Sequence, residues 1–366
     1  RDGARAATLA RREMKSRSAN RISNPHSFAR AMTTRVRRRA FVALVAALAT
    51  CALALGASSS SRPRAMYARG DAYGTCDGSS ESVIVVWHGM GDSGDALDGL
   101  ARAVTRSLVP ARACVRSLMF AATSSGDRWA GYVGDVGEQV DAACELLRTD
   151  DAVRGAGGFH ALGLSQGGQF VRGVVQRCGR ELGAKSLVTL GGQHAGVDAL
   201  PGCGSEPPSA TCRAMNEAAS AASANALVRR RVVQAQYFRD TSTHATYQRY
   251  LETNAYLPEI NNEGQANANA EYRDAIASLE RFVMFMFEND DMVNPPESSW
   301  FGSRVVGGLN RSQIVPYDRN SAIYQNLGLD ALDADGRLEL RLVPGARHMQ
   351  FDVDWFTREV VRKYFM

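Results

Sequence analysis

The 366-residue chain lacks the patterns that mark metal-binding, nucleic-acid-binding and membrane-spanning proteins. None of its seven cysteines lies in a Cys-x-x-Cys pair or beside histidines at zinc-ligand spacing, which argues against a metal site. Residues 1–39 hold 12 of the 43 Lys and Arg residues and 2 of the 38 Asp and Glu residues. The remaining chain, with 31 basic and 36 acidic residues, therefore gives no reason to expect a nucleic-acid partner. After residue 57 no apolar run is long enough to span a bilayer, so we expect no membrane span in the mature body.

The first 80 residues are organised as a targeting segment followed by a linker. We expect residues 1–31 to be a basic extension, disordered or not native, because Met32 and the basic residues after it make a normal start for a signal peptide. Residues 32–57 join this basic start to a short apolar core and small residues, which predicts a signal peptide, with a signal anchor as the alternative. Residues 58–80 are rich in Ser, Arg and Gly and predict a linker, so the folded domain is expected to cover 81–366.

From residue 81 onward, apolar runs alternate with amphipathic segments. The continuous apolar run 82–87 is typical of a strand buried on both faces, and 159–162 is typical of a short buried strand. Further β-like runs are 186–190, 282–287 and 338–343. Helical periodicity occurs between them, notably over 100–108, 136–147 and 169–178. This alternation predicts an α/β fold with a mostly parallel sheet flanked by helices, and with ligand sites at the carboxyl ends of the strands.

Residues from about 200 to 278 interrupt this alternation. They are rich in Ala, Asn, Glu and Pro and contain no clear core strand, so we predict a largely helical insertion over the sheet edge. Apolar side chains there, such as Tyr237, Phe238 and Leu257, either line a substrate groove or pack between helices.

The segment Gly163-Leu164-Ser165-Gln166-Gly167-Gly168 lies between a short apolar run and an amphipathic run. The order strand, Gly-x-Ser-x-Gly, helix is that of a nucleophile elbow, in which the serine occupies a strained turn and the glycines avoid clashes with the adjoining strand and helix. Ser165 is therefore the predicted nucleophile.

A serine nucleophile needs a base and an orienting carboxylate, which in the α/β-hydrolase order both follow the serine. Asp290 and Asp291 follow the run 282–287, and the histidine beyond them is His348. We predict a triad of Ser165, Asp290 and His348, with Asp291 as the less favoured acid. The oxyanion hole needs two backbone N–H donors, which we assign to Gln166 after the nucleophile and to Met90 in the glycine-rich loop after the first strand.

These motifs resemble the palmitoyl-protein thioesterase family of α/β-hydrolases, and the palmitoyl-protein thioesterase 1 branch more than the second. The matching segments are 86–93, 163–170, 191–194, 287–290, 297–302 and 348–350, and they follow the family order from about residue 82 to 360. The resemblance implies a serine thioesterase acting on fatty-acylated proteins or peptides and other acyl thioesters, with no cofactor. An oxygen-ester lipase or carboxylesterase is the alternative, and a non-catalytic lipid-binding protein a more distant one.

The resemblance also supports Ser165, Asp290 and His348 as the triad and Met90 and Gln166 as the oxyanion donors, and it places Gln193 and His194 near the site in roles left open. It implies disulfides between Cys144 and Cys178 and between Cys203 and Cys212, and we suggest a third between Cys76 and Cys114. Six cysteines after the signal and a glycosylation acceptor at Asn310 fit a secretory route. The predicted signal segment and the resemblance together imply the lysosome or an equivalent acidic vacuole, or secretion.

Overall fold

The computed structural model describes residues 69–204, 208–254, 256–264, 268–308, 313–315 and 322–366. The predicted N-terminal extension, the signal peptide, the first part of the linker and the glycosylation acceptor Asn310 lie outside the described residues.

A seven-stranded sheet with the order β1-β3-β2-β4-β5-β6-β9 forms the centre of the domain. Its strands are β1 Arg69–Gly74, β2 Ser82–Trp87, β3 Ala113–Met119, β4 Phe159–Leu164, β5 Ala184–Leu190, β6 Arg281–Phe287 and β9 Leu338–Val343. Only β1 is antiparallel to its neighbour, and every other pair in this sheet is parallel. Two short strands, β7 Ser303–Arg304 and β8 Ile314–Val315, form a separate antiparallel pair. The predicted α/β-hydrolase fold with a mostly parallel sheet is confirmed.

Helices flank the sheet. They are α1 Asp98–Ser107, α2 Ser124–Ala130, α3 Val136–Arg148, α4 Asp151–Gly155, α5 Gln166–Val174, α6 Ala210–Ser223, α7 Ala226–Arg229, α8 His244–Thr253, α9 Leu257–Ile260, α10 Ala270–Ala277, α11 Ala322–Asn326, α12 Leu329–Ala334 and α13 Val353–Phe356. Helix α5 continues as a π-helical turn, Val175–Gly179, and α13 continues likewise over Thr357–Val361. No helix among the described residues is both long and apolar enough to cross a bilayer.

The inner strands of the sheet are buried on both faces, whereas Leu340 and Leu342 in the edge strand β9 are exposed. Along β2, Val83, Val85 and Trp87 pack into one apolar cluster, which includes α3 and α5. The alternate residues Ile84 and Val86 pack into a second cluster with α1 and the C-terminal helix. Because both faces are covered, the strand is continuously apolar, which is why the run 82–87 is readable from the sequence.

The predicted linker is wrong over its last part, because residues 69–74 form the edge strand β1, paired antiparallel with β3. The domain thus begins before residue 81. Sequence reasoning misses β1 because an edge strand with one partner needs no apolar run, and here it reads Arg-Gly-Asp-Ala-Tyr-Gly. It also misses β3, where Arg116 interrupts the apolar pattern. In the fold Arg116 forms an ion pair with Asp150, which explains how a central strand accommodates it.

The described part of the segment between β5 and β6 contains five α-helices, α6 to α10, which confirms the predicted helical insertion. The structure joins Cys144 to Cys178 between α3 and the end of α5, and Cys203 to Cys212 at the start of the insertion. It also joins Cys76 to Cys114, which connects the turn after β1 to β3.

Candidate active site

Ser165 lies at the sharp turn between β4 and α5. Its backbone has φ 53° and ψ −123°, a conformation that non-glycine residues rarely adopt. The turn is held because the Ser165 N–H donates to the carbonyl of Leu190 at the end of β5, with a distance of 2.8 Å. The strained backbone directs the serine side chain out of the carboxyl edge of the sheet, as a nucleophile elbow requires.

The glycines around Ser165 allow close backbone packing. A Cβ atom on Gly167 would lie 2.2 Å from the carbonyl oxygen of Trp87 and 2.5 Å from that of His88. A Cβ atom on Gly163 would lie 2.4 Å from the Cα of Gly168. Since all of these obstacles are backbone atoms, they cannot move aside as a flexible side chain could. The motif thus holds the elbow directly against the loop that follows β2.

A hydrogen-bonded chain connects the serine to a buried carboxylate. The Ser165 Oγ lies 2.7 Å from His348 Nε2, and His348 Nδ1 lies 2.7 Å from Asp290 Oδ2. The Asp290 carboxylate, when ionised, can only accept, so the imidazole proton belongs on Nδ1 and Nε2 is left to accept from the serine hydroxyl. This is the tautomer that a general base for Ser165 needs.

Asp290 is held by the loop after β6. Its Oδ1 accepts hydrogen bonds from the backbone N–H groups of Met292 and Val293, at 2.9 and 3.0 Å, and its side chain is fully buried. Oδ2 is thereby directed to His348. Asp291 does not occupy this position, and its backbone carbonyl accepts from the N–H of Gly202. The geometry therefore favours Asp290 over the alternative acid.

His348 follows β9 in a loop and is packed against two elements of the site. The ring of Phe287 meets its imidazole edge to face, with centroids 6.0 Å apart. Gly191, with φ +63°, passes so close that an added Cβ would lie 3.0 Å from the imidazole Cε1. These contacts limit rotation of the ring, so its two nitrogens stay aimed at their partners.

Met90 and Gln166 line the same cleft as Ser165, which is where the two predicted oxyanion donors are needed. The side chain of Gln166 donates to the carbonyl of Gly131 at 3.1 Å. The loop that carries Met90 begins at His88, which is buried with its Nε2 3.0 Å from the Asp127 carboxylate. Asp127 also accepts from the N–H groups of Gly94 and Phe120, at 2.8 and 2.6 Å.

Asp127 changes the ionisation of His88. Burial by itself lowers the pKa of His88, but the hydrogen bond and the negative charge of Asp127 outweigh it, so the pKa is raised above the usual value. Sequence reasoning misses this pair because β3, the strand that precedes Asp127, is not predicted. The pair anchors both ends of the loop that presents Met90.

The cleft above Ser165 is mostly apolar. Its empty volume is about 490 Å³, a figure that includes space open to solvent. It is lined by Met90, Ser165, Gln166, Gln193, Val197, Ala199, Leu200, Pro201, Gln234, Tyr237, Phe238, Met292 and Val293. Tyr237 and Phe238 thus line the cleft, which is one of the two predictions made for apolar side chains of the insertion. Leu257 is instead fully buried in the core, as the alternative prediction of packing between helices requires.

The family model for palmitoyl protein thioesterase matches residues 83–348, a range that contains every residue of this hydrogen-bonded chain. The chain belongs to the palmitoyl protein thioesterase family. The resemblance predicted from the motifs is therefore confirmed.

Two relatives of the family are similar over most of this chain. A palmitoyl-protein thioesterase-dolichyl pyrophosphate phosphatase fusion from Schizosaccharomyces pombe is 34% identical over 79% of this chain, which spans 44% of that protein. Palmitoyl-protein thioesterase 1 of Caenorhabditis elegans is 32% identical over 77% of this chain, which spans 91% of it. Among solved structures, a monoacylglycerol lipase from Paleococcus ferrophilus matches with a TM-score of 0.44 and 12% identity, over 81% of this chain and 98% of that one.

In this thioesterase-family chain, Gln193 and His194 have different surroundings although both were expected near the site. Gln193 lines the cleft. His194 points into the core, where its Nε2 lies 2.9 Å from the Thr189 hydroxyl and its ring stacks on Phe301 with centroids 5.0 Å apart. Burial, and then the charge of Arg172, lower the pKa of His194 well below its usual value. Its surroundings therefore keep it neutral and make it a packing residue.

No group of three or more His, Cys, Asp and Glu side chains in the described part of the chain is arranged to hold a metal ion. The chemistry available at the cleft is that of a hydroxyl, an imidazole, a carboxylate and backbone N–H donors. This set is suited to acyl transfer.

Proposed function

We propose that this chain is a serine thioesterase that hydrolyses long-chain fatty acyl thioesters, including S-palmitoyl cysteine in proteins or peptides. The observation that carries the proposal is the chain Ser165–His348–Asp290, with both hydrogen bonds at 2.7 Å, at the base of an apolar cleft. Family membership supports the thioester as the bond that is cleaved.

In the first step the Ser165 Oγ attacks the thioester carbonyl while His348 Nε2 takes the hydroxyl proton. The carbonyl oxygen becomes an oxyanion, and we assign its two N–H donors to Met90 and Gln166. When the intermediate collapses the C–S bond breaks, His348 returns its proton to the sulfur, and the cysteine leaves as a thiol. The acyl group stays on Ser165 as an ester.

In the second step water attacks the acyl-enzyme. His348 Nε2 takes a proton from the water as the new C–O bond forms, and then gives it to Ser165 Oγ as the ester bond breaks. The Asp290 carboxylate holds the imidazole in place and stabilises the imidazolium that forms in each step. The products are the fatty acid and the free serine.

The apolar cleft wall supplies the preference for a long acyl chain. Tyr237 and Phe238 are supplied by the insertion, and Met292 and Val293 by the loop that holds Asp290. Burial contributes about 0.8 kcal/mol for each methylene group that leaves water, or roughly a fourfold gain in binding per carbon. We therefore expect kcat/KM to rise with acyl length until the cleft is full.

The test is hydrolysis of a palmitoyl thioester by the parent chain and by Ser165→Ala. We expect turnover by the parent, labelling of Ser165 by a fluorophosphonate, and loss of both in Ser165→Ala. A matched palmitoyl oxygen ester is the comparison substrate, and clear preference for it would favour the lipase alternative. Hydrolysis retained by Ser165→Ala would overturn the assignment of the nucleophile.

For location, we propose a secretory route to the lysosome or an equivalent acidic vacuole. The three disulfides support it, since such bonds persist in oxidising compartments. A fluorescent tag at the C-terminus, imaged with a marker of acidic compartments, tests the proposal. Glycosidase treatment should lower the mass of the parent chain but not that of Asn310→Gln, which would show that Asn310 is glycosylated on this route. A diffuse cytoplasmic signal from the tagged chain would refute the route.

A further inference from the structure

Beside the cleft, two large apolar side chains are exposed to solvent. Trp129 in α2 is 51% exposed and Leu227 in α7 is 59% exposed. Exposed side chains of this size, where they lie together, mark surfaces that contact a partner or a membrane. We call the set Trp129, Leu227, Arg128, Arg230 and Arg231 the rim patch.

The two segments that carry the rim patch are joined by backbone hydrogen bonds. The N–H of Gly134 donates to the carbonyl of Arg231, and the N–H of Val233 donates to that of Tyr132, both at 3.0 Å. Val133 and Val232 form an antiparallel bridge between these bonds. The ring of Trp129 contacts that of Tyr132, and Tyr132 packs in one cluster with Val228, the neighbour of Leu227. The two exposed side chains therefore belong to adjacent segments of the fold.

This surface adjoins the cleft on the side of the nucleophile. The carbonyl of Gly131, two residues after Trp129, accepts hydrogen bonds from the side chains of Gln166 and Gln234, at 3.1 and 2.8 Å. Both glutamines line the cleft. The segment that carries Trp129 therefore adjoins the cleft that contains Ser165.

The charged residues of the rim patch are three arginines, of which Arg128 interacts with the carboxylate of Asp95. Residues 226–232 read Ala-Leu-Val-Arg-Arg-Arg-Val and contain no acidic residue. Arg229 is buried with its guanidinium over the ring of Tyr250, whereas Arg230, Arg231 and Arg128 are exposed. Neither Arg230 nor Arg231 forms an ion pair with any residue that the structure describes.

We propose that the rim patch docks this protein on an anionic phospholipid surface. Trp129 and Leu227 enter the boundary between headgroups and acyl chains, where tryptophan is favoured, and the three exposed arginines contact the acidic headgroups. Docking there sets the cleft entrance against the membrane, from which a fatty acyl group would be taken up. That consequence for catalysis rests on the proposed function, but the docking does not.

The experiment measures contact of Trp129 itself with lipid, because the basic N-terminal residues of the full chain can also bind anionic vesicles. The chain carries Ser165→Ala, so that nothing is hydrolysed, and phosphatidylglycerol vesicles carry brominated acyl chains that quench tryptophan fluorescence on contact. Trp87 is buried and Trp300 and Trp355 are partly buried, so the difference between Trp129 and Trp129→Phe chains isolates Trp129. We expect its emission to shift to the blue and to be quenched by these vesicles.

A matched control carries Trp129→Phe with Val109→Trp. Val109 is 72% exposed and precedes β3, at the opposite edge of the sheet from Ser165, so a tryptophan there should remain unquenched. Each arginine near an anionic surface contributes about a fivefold gain in the binding constant for vesicles. Arg230→Gln with Arg231→Gln should therefore raise about 25-fold the lipid concentration needed for half-maximal quenching of Trp129. Arg106→Gln with Arg362→Gln, both exposed but outside the patch, should leave it unchanged.

Three results would overturn the docking proposal: an unquenched Trp129 on vesicles that the chain binds, no binding at all, or equal quenching at Val109→Trp. Equal quenching on phosphatidylcholine vesicles would overturn the anionic preference. Circular dichroism of each variant checks that it is folded. Hydrolysis of a soluble thioester by the parent chain is measured separately, so failure of docking and failure of the proposed activity are distinguishable.

Discussion

Replacing Asp290 by asparagine tests the proposed mechanism because the surrounding backbone dictates how the new amide must sit. Oδ1 of Asp290 accepts from the N–H groups of Met292 and Val293, and Oδ2 faces His348 Nδ1. An amide NH₂ cannot accept from two N–H donors, so the asparagine oxygen must take the Oδ1 position. Its NH₂ group then faces His348 and donates to Nδ1.

That orientation forces the imidazole proton onto Nε2, which faces Ser165 and can then no longer accept the hydroxyl proton. A change of this kind in a serine triad costs about 10⁴-fold in kcat, or about 5.4 kcal/mol of transition-state stabilisation. We expect Asp290→Asn to lose about that much kcat on a palmitoyl thioester. KM should change little, because the cleft wall is untouched, and Tm should change little, because the turn keeps its hydrogen bonds.

The matched control is Asp291→Asn, which changes the neighbouring carboxylate and should keep kcat within a fewfold of the parent. Steady-state kinetics on a soluble palmitoyl thioester, with the rate of fluorophosphonate labelling of Ser165 as a second readout, measure both variants. A loss of less than tenfold in Asp290→Asn, or an equal loss in Asp291→Asn, would refute the assigned acid and the tautomer argument.

Three further changes have distinct expected outcomes. Gly167→Ala should lower kcat about 10²-fold, because its Cβ would displace the Trp87 and His88 backbone that leads to the loop carrying Met90. The control is Gly157→Ala, where φ is +64° and no atom lies near the added Cβ. This variant should lower the free energy of unfolding by about 1 kcal/mol and leave kcat unchanged. Equal kinetics in the two would contradict this. Replacing Cys144 and Cys178 by alanine opens a loop closed over 34 residues and should lower the free energy of unfolding by about 3.8 kcal/mol relative to the parent with its disulfides intact. Urea titration of both chains without reductant measures the difference, and an unchanged midpoint would disprove it. The fold lowers the pKa of His194, so as the pH drops below about 6.5 the unfolded state binds a proton that the folded state does not, and the free energy of unfolding falls. In thermal melts from about pH 7 to 5, His194→Gln should therefore show a smaller decrease of Tm with pH than the parent. The same decrease in both chains would count against a neutral buried imidazole.

Much of the site could be predicted because the elements that carry it have strong local patterns. Ser165 lies between a buried strand and an amphipathic helix, and the glycines beside it mark the tight turn. Asp290 follows a strand that is readable as an apolar run, and His348 follows the β-like run 338–343, in which leucines alternate with charged residues. Parallel strands present their carboxyl ends at one edge, so three distant segments could be expected to meet there.

Other parts could not be predicted because their reasons lie in the packing. Strand β1 has a single partner and no apolar run, and β3 contains Arg116, whose charge is balanced by Asp150 from a different element. Asp127 is recognisable as the partner of His88, at the start of the loop that carries Met90, only once β3 places the two side chains together. The sequence motif puts Gln193 and His194 side by side, and only the fold directs one to the cleft and the other to the core.

The amino-acid sequence by itself determined the α/β architecture and the tight turn at Ser165, because these depend on burial and backbone sterics within short segments. The tertiary structure alone decided that Leu257 packs inside while Tyr237 faces the cleft, that Gln193 lines the cleft while His194 points into the core, and that the turns after Trp129 and Leu227 are neighbours. Those choices depend on distances between segments far apart in the chain, which no local pattern specifies.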